Sequence, residues 1–284
     1  MKIAHHAMKK RGARLGQHFL KGQWAAIRLA QSICVRGGET ILEIGPGRGA
    51  LTRELLATGA RIVAVEKDEA LVGHLQNIFS EEIYADKLKI ILGDIRDITA
   101  KKLGLKKYVV AANIPYYITG EIIRQFLTAQ TQPRAMALLV QKEVAERIVA
   151  INGKVRPCHL GKESILSISV KAYGEPKIIA KVSKGNFSPP PSVDSAILLI
   201  ENISRKLFSN VREDVFFKVV HAGFAAKRKF LANNLAVVFD KEKVRDAFTQ
   251  LNIGEKIRAE DMPLEKWRKL GTIFRSRADG RPNR

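Results

Sequence analysis

Apolar residues between positions 40 and 141 fall in short runs separated by stretches of helical periodicity. The runs TILEI, RIVAVE, KIIL, YVVAAN and AMALLVQ are short and aliphatic, which is typical of buried strands. The spacing of apolar residues between the runs predicts helices at 49–57, 69–79, 119–128 and 142–151. Strands that alternate with helices predict an α/β fold with a doubly wound, mostly parallel sheet.

The pattern changes after Asn152. The segments SILSISVKAYG, IIAKV and SAILLIEN predict further strands of the same sheet, and FSPPPS predicts an ordered loop. From Arg205 onward, VFFKVVHAGF, KFLANNLAVVF, VRDAFTQLNI and LEKWRKLGTIF have the spacing of amphipathic helices. We therefore predict a sheet domain over residues 1–203, a small all-α domain over 204–275 and a basic tail at 276–284.

Glycines and acids follow the predicted strands at positions that suit a cofactor. Gly45 and Gly47 lie between a strand and a helix, where the backbone can approach a ligand closely. Glu66 ends the second strand, where it would accept hydrogen bonds from ribose hydroxyls, and Asp94 after the third strand would accept from an adenine amino group. The pattern favours S-adenosyl-L-methionine over NAD. A structural ion pair for Glu66 and a helix cap for Asp94 are the alternatives.

The stretch VVAANIPYYITG places an amide, a proline and aromatic rings at the end of a predicted strand. An adenine amine is a poor nucleophile because its lone pair is delocalised into the ring. The side-chain carbonyl of Asn113 and a backbone carbonyl at Ile114–Pro115 would accept its hydrogens and aim the lone pair at a methyl donor. Tyr116 and Phe187 would hold the unstacked base, although strand-end packing and a core position are their alternatives.

The charge balance favours a nucleic-acid partner. The chain has 49 Lys and Arg against 28 Asp and Glu, a net charge of +21, and no run of 18 apolar residues. A solvated basic surface is the alternative. Cys34 and Cys158 form neither a disulfide framework nor a zinc motif, so we predict no metal site and a cytoplasmic location. The basic N-terminus lacks the apolar core of a signal peptide, and an organellar transit peptide is the alternative.

Eight motifs, in order along most of the chain, resemble the ribosomal RNA small-subunit adenine N6,N6-dimethyltransferases of the KsgA type. They are LGQHFL, EIGPGRGALT, VAVEKD, GDIRD, NIPYYIT, LLVQKEVAERI, FSPPPSVDSA and FAAKRKFLANNL. The resemblance implies a Rossmann-like methyltransferase domain that uses S-adenosyl-L-methionine, with the target adenine held by Tyr116 and Phe187. It implies that the cofactor is bound by Gln17, His18, Leu20, Gly45, Gly47, Glu66, Asp94 and Asn113.

The same resemblance implies a substrate. Family members dimethylate two adjacent adenosines in the 3′-terminal hairpin loop of small-subunit (16S) rRNA during subunit maturation, and the resemblance suggests a monomer. The basic helical segment with Lys227, Arg228 and Lys229 would bind RNA phosphates, with a solvated helix face as the alternative. Two departures are that His18 stands where Asn is frequent, and that the segment before LSISV lacks the family's Tyr-Gly pair, which puts the local loop geometry in doubt.

Two other functions stay open at this point. The macrolide-resistance type dimethylates one adenosine of large-subunit (23S) rRNA and shares the NIPY signature, but LGQHFL, GPGRGALT and SPPPSVDSA favour the small-subunit type. A non-catalytic assembly or transcription factor on the same fold is the alternative of another class. A non-catalytic role is disfavoured because the candidate site residues Asn113, Tyr116 and Asp94 are all present.

Overall fold

The computed structural model describes residues 18–149 and 162–274, which belong to two compact units. The first unit takes in the chain up to Ala145 together with Glu175–Ile203. The second takes in Glu146–Gly174 and the chain from Ser204. The prediction places residues 146–174 in the sheet domain, so the contiguous division into 1–203 and 204–275 stays a prediction. Gln17, Cys158, the end of the helix predicted at 142–151 and the predicted tail at 276–284 lie outside the described residues.

A seven-stranded sheet forms the centre of the first unit. The strands of this unit are β1 (Phe19–Leu20), β2 (Thr40–Ile44), β3 (Arg61–Glu66), β4 (Leu88–Leu92), β5 (Tyr108–Asn113), β6 (Met136–Gln141), β7 (Glu175–Val182), β8 (Phe187–Ser188) and β9 (Ser195–Glu201). The strand order is β4-β3-β2-β5-β6-β9-β7. Neighbours among β2 to β6 are parallel, and β9 is antiparallel to both β6 and β7. The predicted α/β fold with a mostly parallel sheet is confirmed.

Helices connect the parallel strands, as predicted. They are α1 (Gln23–Ser32), α2 (Ala50–Leu56), α3 (Glu69–Ile78), α4 (Ser80–Tyr84), α5 (Thr119–Thr128) and α6 (Lys142–Val149), the last of which is shared between the two units. The sequence analysis had no prediction for β1, α1 or α4. Side chains of α1, α2, α3 and the central strands form one buried apolar cluster on the sheet.

Parallel pairing brings the carboxyl ends of the central strands to one edge of the sheet. The register aligns Ile44 with Val65 and with Ala112, and Asn113 with Leu139. The interior of β5 is fully buried, so the chain first becomes polar and partly exposed at Asn113. The edge therefore collects the residues that follow β2, β3, β4 and β5, which is where open α/β sheets bind ligands.

A two-stranded ribbon lies outside the main sheet. β1 pairs antiparallel with β8, with Phe19 opposite Ser188 and Leu20 opposite Phe187. The backbone N–H of Lys21 extends the ribbon by donating to the Asn186 carbonyl at 2.8 Å. The start of the FSPPPS motif is thus a short strand rather than a loop, and it holds the chain around His18 in place.

The second unit is helical. Its helices besides the end of α6 are α7 (Ile165–Tyr173), α8 (Glu213–Gly223), α9 (Leu231–Leu235), α10 (Lys241–Gln250) and α11 (Leu264–Phe274). The predicted strand SILSISVKAYG is wrong, because this segment is α7. A capping box between Ser164 and Ser167 starts the helix, and Lys171 reaches back to Glu163 at 2.7 Å. These local bonds outweigh the strand preference of its β-branched residues.

Helix α9 is shorter than the predicted KFLANNLAVVF helix. It ends at Leu235, and Asn234, which is buried, donates from Nδ2 to the carbonyls of Gly223 and Ala226 at 2.6 and 3.0 Å. The core of the unit contains the fully buried Trp267, whose Nε1 donates to the Met262 carbonyl at 3.1 Å. None of the helices in the described ranges is long and apolar enough to cross a membrane.

Candidate active site

The loop after β2 is held open by glycine. Gly45, Gly47 and Gly49 have φ values of +65°, +59° and +82°, which side chains rarely allow. A Cβ on Gly49 would lie 2.6 Å from the ring of Phe79, which is too close without a shift of the buried ring, so this position also favours glycine for space. The backbone of this turn is consequently available to a ligand at the sheet edge.

The carboxylate of Glu66 fixes the shape of that loop. Its Oε2 accepts from the Gly47 N–H at 3.0 Å, and its Oε1 accepts from the N–H groups of Lys67 and Asp68 at 2.8 and 3.0 Å. Glu66 is buried, and its partners are backbone groups rather than a cation. Among residues 18–149 and 162–274 no cation pairs with Glu66, which was its alternative role, and the predicted contact with a ribose stays a prediction.

Asp94 is engaged by two cations. It accepts from the Arg96 backbone N–H at 3.0 Å, from the Arg96 guanidinium at 3.0 and 2.6 Å, and from Lys67 Nζ at 2.8 Å. The Arg96 guanidinium, followed by Lys67, holds the pKa of this carboxyl below its usual range despite partial burial. Asp94 thus caps the short helical turn at Ile95–Asp97, which is the alternative role that the sequence left open beside a contact with an adenine. A contact with an adenine amine would have to share the carboxylate with Arg96 and Lys67.

Two cavities adjoin at this edge of the sheet. The larger has a volume of about 310 Å³ and is lined by residues that include Gly45, Glu66, Lys67, Asp94, Arg96 and Tyr117. The smaller has a volume of about 60 Å³ and is lined by residues that include His18, Leu20, Gly47, Asn113, Ile114 and Tyr116. Gly45, Glu66 and Pro115 line both. Ten predicted cofactor and target residues within the described ranges therefore line one or both cavities.

The end of β5 presents two carbonyl groups. Asn113 donates from Nδ2 to the His18 carbonyl at 2.9 Å, which leaves Oδ1 as the atom that can accept. Pro115 has φ −55° and its carbonyl accepts from the Ile118 N–H at 3.2 Å. The Ile114 carbonyl has no such donor in the described part of the chain. Two acceptors thus remain at this strand end in the described part of the chain, Asn113 Oδ1 and the Ile114 carbonyl oxygen.

Tyr116 is held at both its ring and its hydroxyl. The hydroxyl lies 2.6 Å from Ser195 Oγ, and the ring centroid lies 5.7 Å from that of His18 at an interplanar angle of 30°. Burial raises the pKa of the phenol. His18 Nδ1 in turn lies 2.8 Å from the Pro189 carbonyl. Ser195 was not predicted from the sequence, although the motif SVDSA was already part of the resemblance. Tyr117, which is 72% exposed at the larger cavity, was not predicted either.

Phe187 is not brought to the cavities. Its side chain is fully buried in the apolar cluster of the first unit, opposite Leu20 in the ribbon. This is the core position that was its alternative. A contact between Phe187 and a target base stays a prediction, and it requires the ring to become accessible.

The three cations Lys227, Arg228 and Lys229 lie in a turn between α8 and α9, not on a helix as expected. All three are exposed. They belong to the second unit, and their contact with RNA stays a prediction. In the described residues no cluster of His, Cys, Asp and Glu could hold a metal ion.

Comparisons with known proteins identify the family. The sequence model described as "Ribosomal RNA adenine dimethylase" matches residues 8–275. The chain belongs to this family. It is an rRNA adenine dimethyltransferase that uses S-adenosyl-L-methionine, the cofactor that the sequence favoured over NAD.

Curated relatives resemble the chain over most of its length. "Ribosomal RNA small subunit methyltransferase A" of Dehalococcoides mccartyi (strain ATCC BAA-2266 / KCTC 15142 / 195) is 37% identical over 264 residues, which cover 92% of this chain and 87% of the relative. The protein of the same name from Thermosynechococcus vestitus is 36% identical over 268 residues, 92% of this chain and 96% of the relative.

Solved structures share the fold. A dimethyladenosine transferase from Plasmodium falciparum superposes with a TM-score of 0.74 at 25% identity, over 89% of this chain and 96% of that one. The 23S rRNA methyltransferase ErmE superposes with a TM-score of 0.71 at 23% identity, over 91% and 100%. At this level of identity the likeness to ErmE shows the fold alone.

Proposed function

We propose that this enzyme dimethylates N6 of two adjacent adenosines in the 3′-terminal hairpin loop of small-subunit rRNA. Relatives named as small-subunit methyltransferases, at 34–37% identity over at least 92% of the chain, support this substrate. The likeness to the large-subunit enzyme ErmE extends to the fold only. The observation that carries the chemistry is the orientation of Asn113, whose Nδ2 is occupied by the His18 carbonyl while Oδ1 is left to accept.

The residues at the sheet edge fit the cofactor. The glycine turn leaves its backbone open, Glu66 adds a buried carboxylate, and the adjoining cavity of about 310 Å³ extends to Asp94. We assign Gly45, Gly47, Glu66 and Asp94 to this binding site together with residues from the N-terminal motif, Gln17, His18 and Leu20. When bound, S-adenosyl-L-methionine supplies an electrophilic methyl group on its sulfonium.

The chain's own residues prepare the adenine amine for attack. In the first transfer Asn113 Oδ1 and the Ile114 carbonyl accept the two amine hydrogens, which draws the nitrogen toward tetrahedral geometry and localises its lone pair. The methylated nitrogen releases one proton to solvent, and in the second transfer one of these acceptors holds its remaining hydrogen, which then leaves in the same way. Pro115 fixes the turn that presents the Ile114 carbonyl. Tyr116 stacks on the unstacked base and sets its angle of approach. Positioning replaces a strong general base in this mechanism.

We assign substrate capture to basic surface in the second unit. Three consecutive basic residues in this unit are exposed, as a contact with RNA phosphates requires: Lys227, Arg228 and Lys229. We further propose that the substrate is a maturing small subunit in the cytoplasm and that the enzyme acts as a monomer. Sedimentation of the free enzyme and of its mixture with subunits tests the last point, because a monomer has a mass of 31.6 kDa.

The direct test is methyl transfer from labelled S-adenosyl-L-methionine to small subunits that lack the modification, in parallel with unmodified large-subunit RNA. The expected product is dimethyladenosine at two adjacent positions near the small-subunit 3′ end, mapped by nuclease digestion and mass spectrometry. Label found only in the large-subunit RNA would contradict the proposed substrate.

A further inference from the structure

Within the described residues, the hydroxyl of Tyr116 has one side-chain partner, which the reaction described above does not use. Ser195 Oγ lies 2.6 Å from it, and Ser195 is fully buried. Either hydroxyl can donate in this bond. A hydrogen bond this short between two largely desolvated hydroxyls restricts how the tyrosine ring can turn.

Ser195 is itself fixed from several directions. It begins β9 and pairs with Gln141 of β6 on one side and with Val182 of β7 on the other. The preceding residue, Asp194, accepts from the Lys142 N–H through its carbonyl and from the Lys184 N–H through its side chain, both at 3.0 Å. The serine hydroxyl is therefore a rigid point of the sheet.

The sheet order explains why Tyr116 needs a distant anchor. Tyr116 follows the end of β5, whereas Ser195 starts β9, and β6 lies between them. Two strand spacings amount to about 10 Å. The Tyr116 side chain consequently lies across the end of β6, attached at its backbone to β5 and at its hydroxyl to β9.

We propose that Ser195 is a positioning residue for methyl transfer, which holds the Tyr116 ring at the angle on which the target adenine stacks beside Asn113. The proposal rests on the proposed function. A ring attached at both ends presents one stacking plane, whereas a ring free at its hydroxyl samples several, and displacements of about 1 Å are enough to slow a reaction that depends on positioning. Burial, which raises the pKa of Tyr116, keeps its hydroxyl in the neutral form that can both donate and accept.

The experiment is a double-mutant cycle of Ser195→Ala and Tyr116→Phe, which removes the same hydrogen bond from either side and keeps the aromatic ring. We expect each single variant to lower the turnover rate on small subunits by roughly tenfold at saturating substrates, with the KM for S-adenosyl-L-methionine unchanged. The double variant should be no slower than the slower single variant, because the bond can be lost only once.

Two further variants separate positioning from general stability. Tyr108→Phe removes another buried tyrosine hydrogen bond of the same unit, from its hydroxyl to the Thr131 carbonyl at 2.8 Å, and should leave the turnover rate unchanged. Ser195→Thr keeps a hydroxyl and should recover most of the rate. If Ser195→Ala does not fold in thermal unfolding, Tyr116→Phe carries the test, since it leaves β9 unchanged.

Two results would overturn the positioning role of Ser195 while leaving the proposed function intact. One is a wild-type turnover rate in Ser195→Ala, and the other is a turnover rate in the double variant that falls by roughly a hundredfold, the product of the single losses. A wild-type enzyme that methylates neither small subunits nor large-subunit RNA would overturn both. If only the large-subunit RNA is methylated, the proposed substrate is wrong. The double-mutant cycle is then measured on large-subunit RNA, and the losses in turnover rate must still be non-additive for Ser195 to keep its positioning role.

Discussion

The two halves of the site are held together in different ways. The glycine-loop half consists of Gly45–Gly49, Glu66 and Asp94, and its hydrogen bonds join residues at most 27 positions apart. The strand-end half consists of His18, Asn113, Tyr116 and Ser195, and its bonds join residues 79 to 171 positions apart. The first half is built from neighbouring βα units, and the second is assembled from distant segments.

Because of this difference, substitutions in the two halves should affect different properties of the enzyme. In the glycine-loop half a carboxylate satisfies several backbone N–H groups, so its loss disturbs the shape of a local turn. In the strand-end half each side chain has one fixed partner, so its loss changes an angle at the reacting base. Changes in the first half should therefore alter cofactor affinity, and changes in the second should alter the rate of methyl transfer.

The largest expected effect is in the strand-end half. Asn113→Ala removes the acceptor Oδ1 and the bond to the His18 carbonyl, and we expect single-turnover methyl transfer to fall by about 10²-fold or more. The dissociation constant of the cofactor, measured by calorimetry, should change much less. Transfer near the wild-type rate, or a cofactor affinity that falls as much as the rate, would remove the distinction between the halves.

The same difference decided what the sequence could predict. Gly45, Glu66 and Asp94 each follow a strand, and strand ends in a parallel sheet share an edge, so their convergence is readable from the pattern. The partnership of Tyr116 with Ser195 depends on the strand order β5-β6-β9, in which the last strand is antiparallel. Nothing near Tyr116 in the chain encodes that order.

Local bonds explain the wrong strand prediction. The β-branched residues of SILSISVKAYG favour a strand, but the capping box of Ser164 with Ser167 and the ion pair of Lys171 with Glu163 select a helix. The burial of Phe187 depends on a long-range pairing, because its place opposite Leu20 in the ribbon buries the ring.

A second prediction concerns an acid beneath the glycine loop. Glu43 in β2 is fully buried, and neither its carboxyl oxygens nor the Thr52 hydroxyl makes a hydrogen bond in the described part of the chain. Burial raises the pKa of Glu43 from 4.5 to about 8, with Thr52 close enough to offset this in part and with Glu66 adding to it. The folded protein therefore holds a proton that the unfolded chain releases above pH 4.5, so this carboxyl makes stability fall as pH rises from about 4.5 to about 8.

Glu43→Gln removes that titration. The free energy of unfolding of the variant, relative to the wild type, should rise by on the order of 2 kcal/mol between pH 6 and pH 8. Denaturant unfolding at several pH values measures it, and Asp86→Asn, an exposed acid of the same unit, is the control. Parallel pH profiles for Glu43→Gln and the wild type would show that the buried carboxyl does not titrate in this range.

The third prediction tests the glycine-loop half directly. Glu66→Ala leaves the Gly47, Lys67 and Asp68 N–H groups without their acceptor, and we expect cofactor affinity to fall by about tenfold or more. Glu66→Gln keeps one acceptor oxygen, so its cofactor affinity should lie between those of the wild type and Glu66→Ala. The rate of methyl transfer at saturating cofactor should decline less than in Asn113→Ala. A variant that binds the cofactor normally but transfers slowly would place Glu66 with the strand-end half.

The smallest expected effect lies outside both halves, in the second unit. Replacing Lys227, Arg228 and Lys229 with Ala should weaken RNA binding about fivefold at physiological salt and reduce the slope of log K against log salt by about two, because fewer counterions are released from the phosphates. Cofactor affinity should not change, and saturating RNA should restore the turnover rate. The matched control replaces three other exposed cations of the unit, Lys241, Arg245 and Lys256, with Ala. If both triple variants flatten the slope equally, the effect belongs to the net charge of the unit and not to this turn.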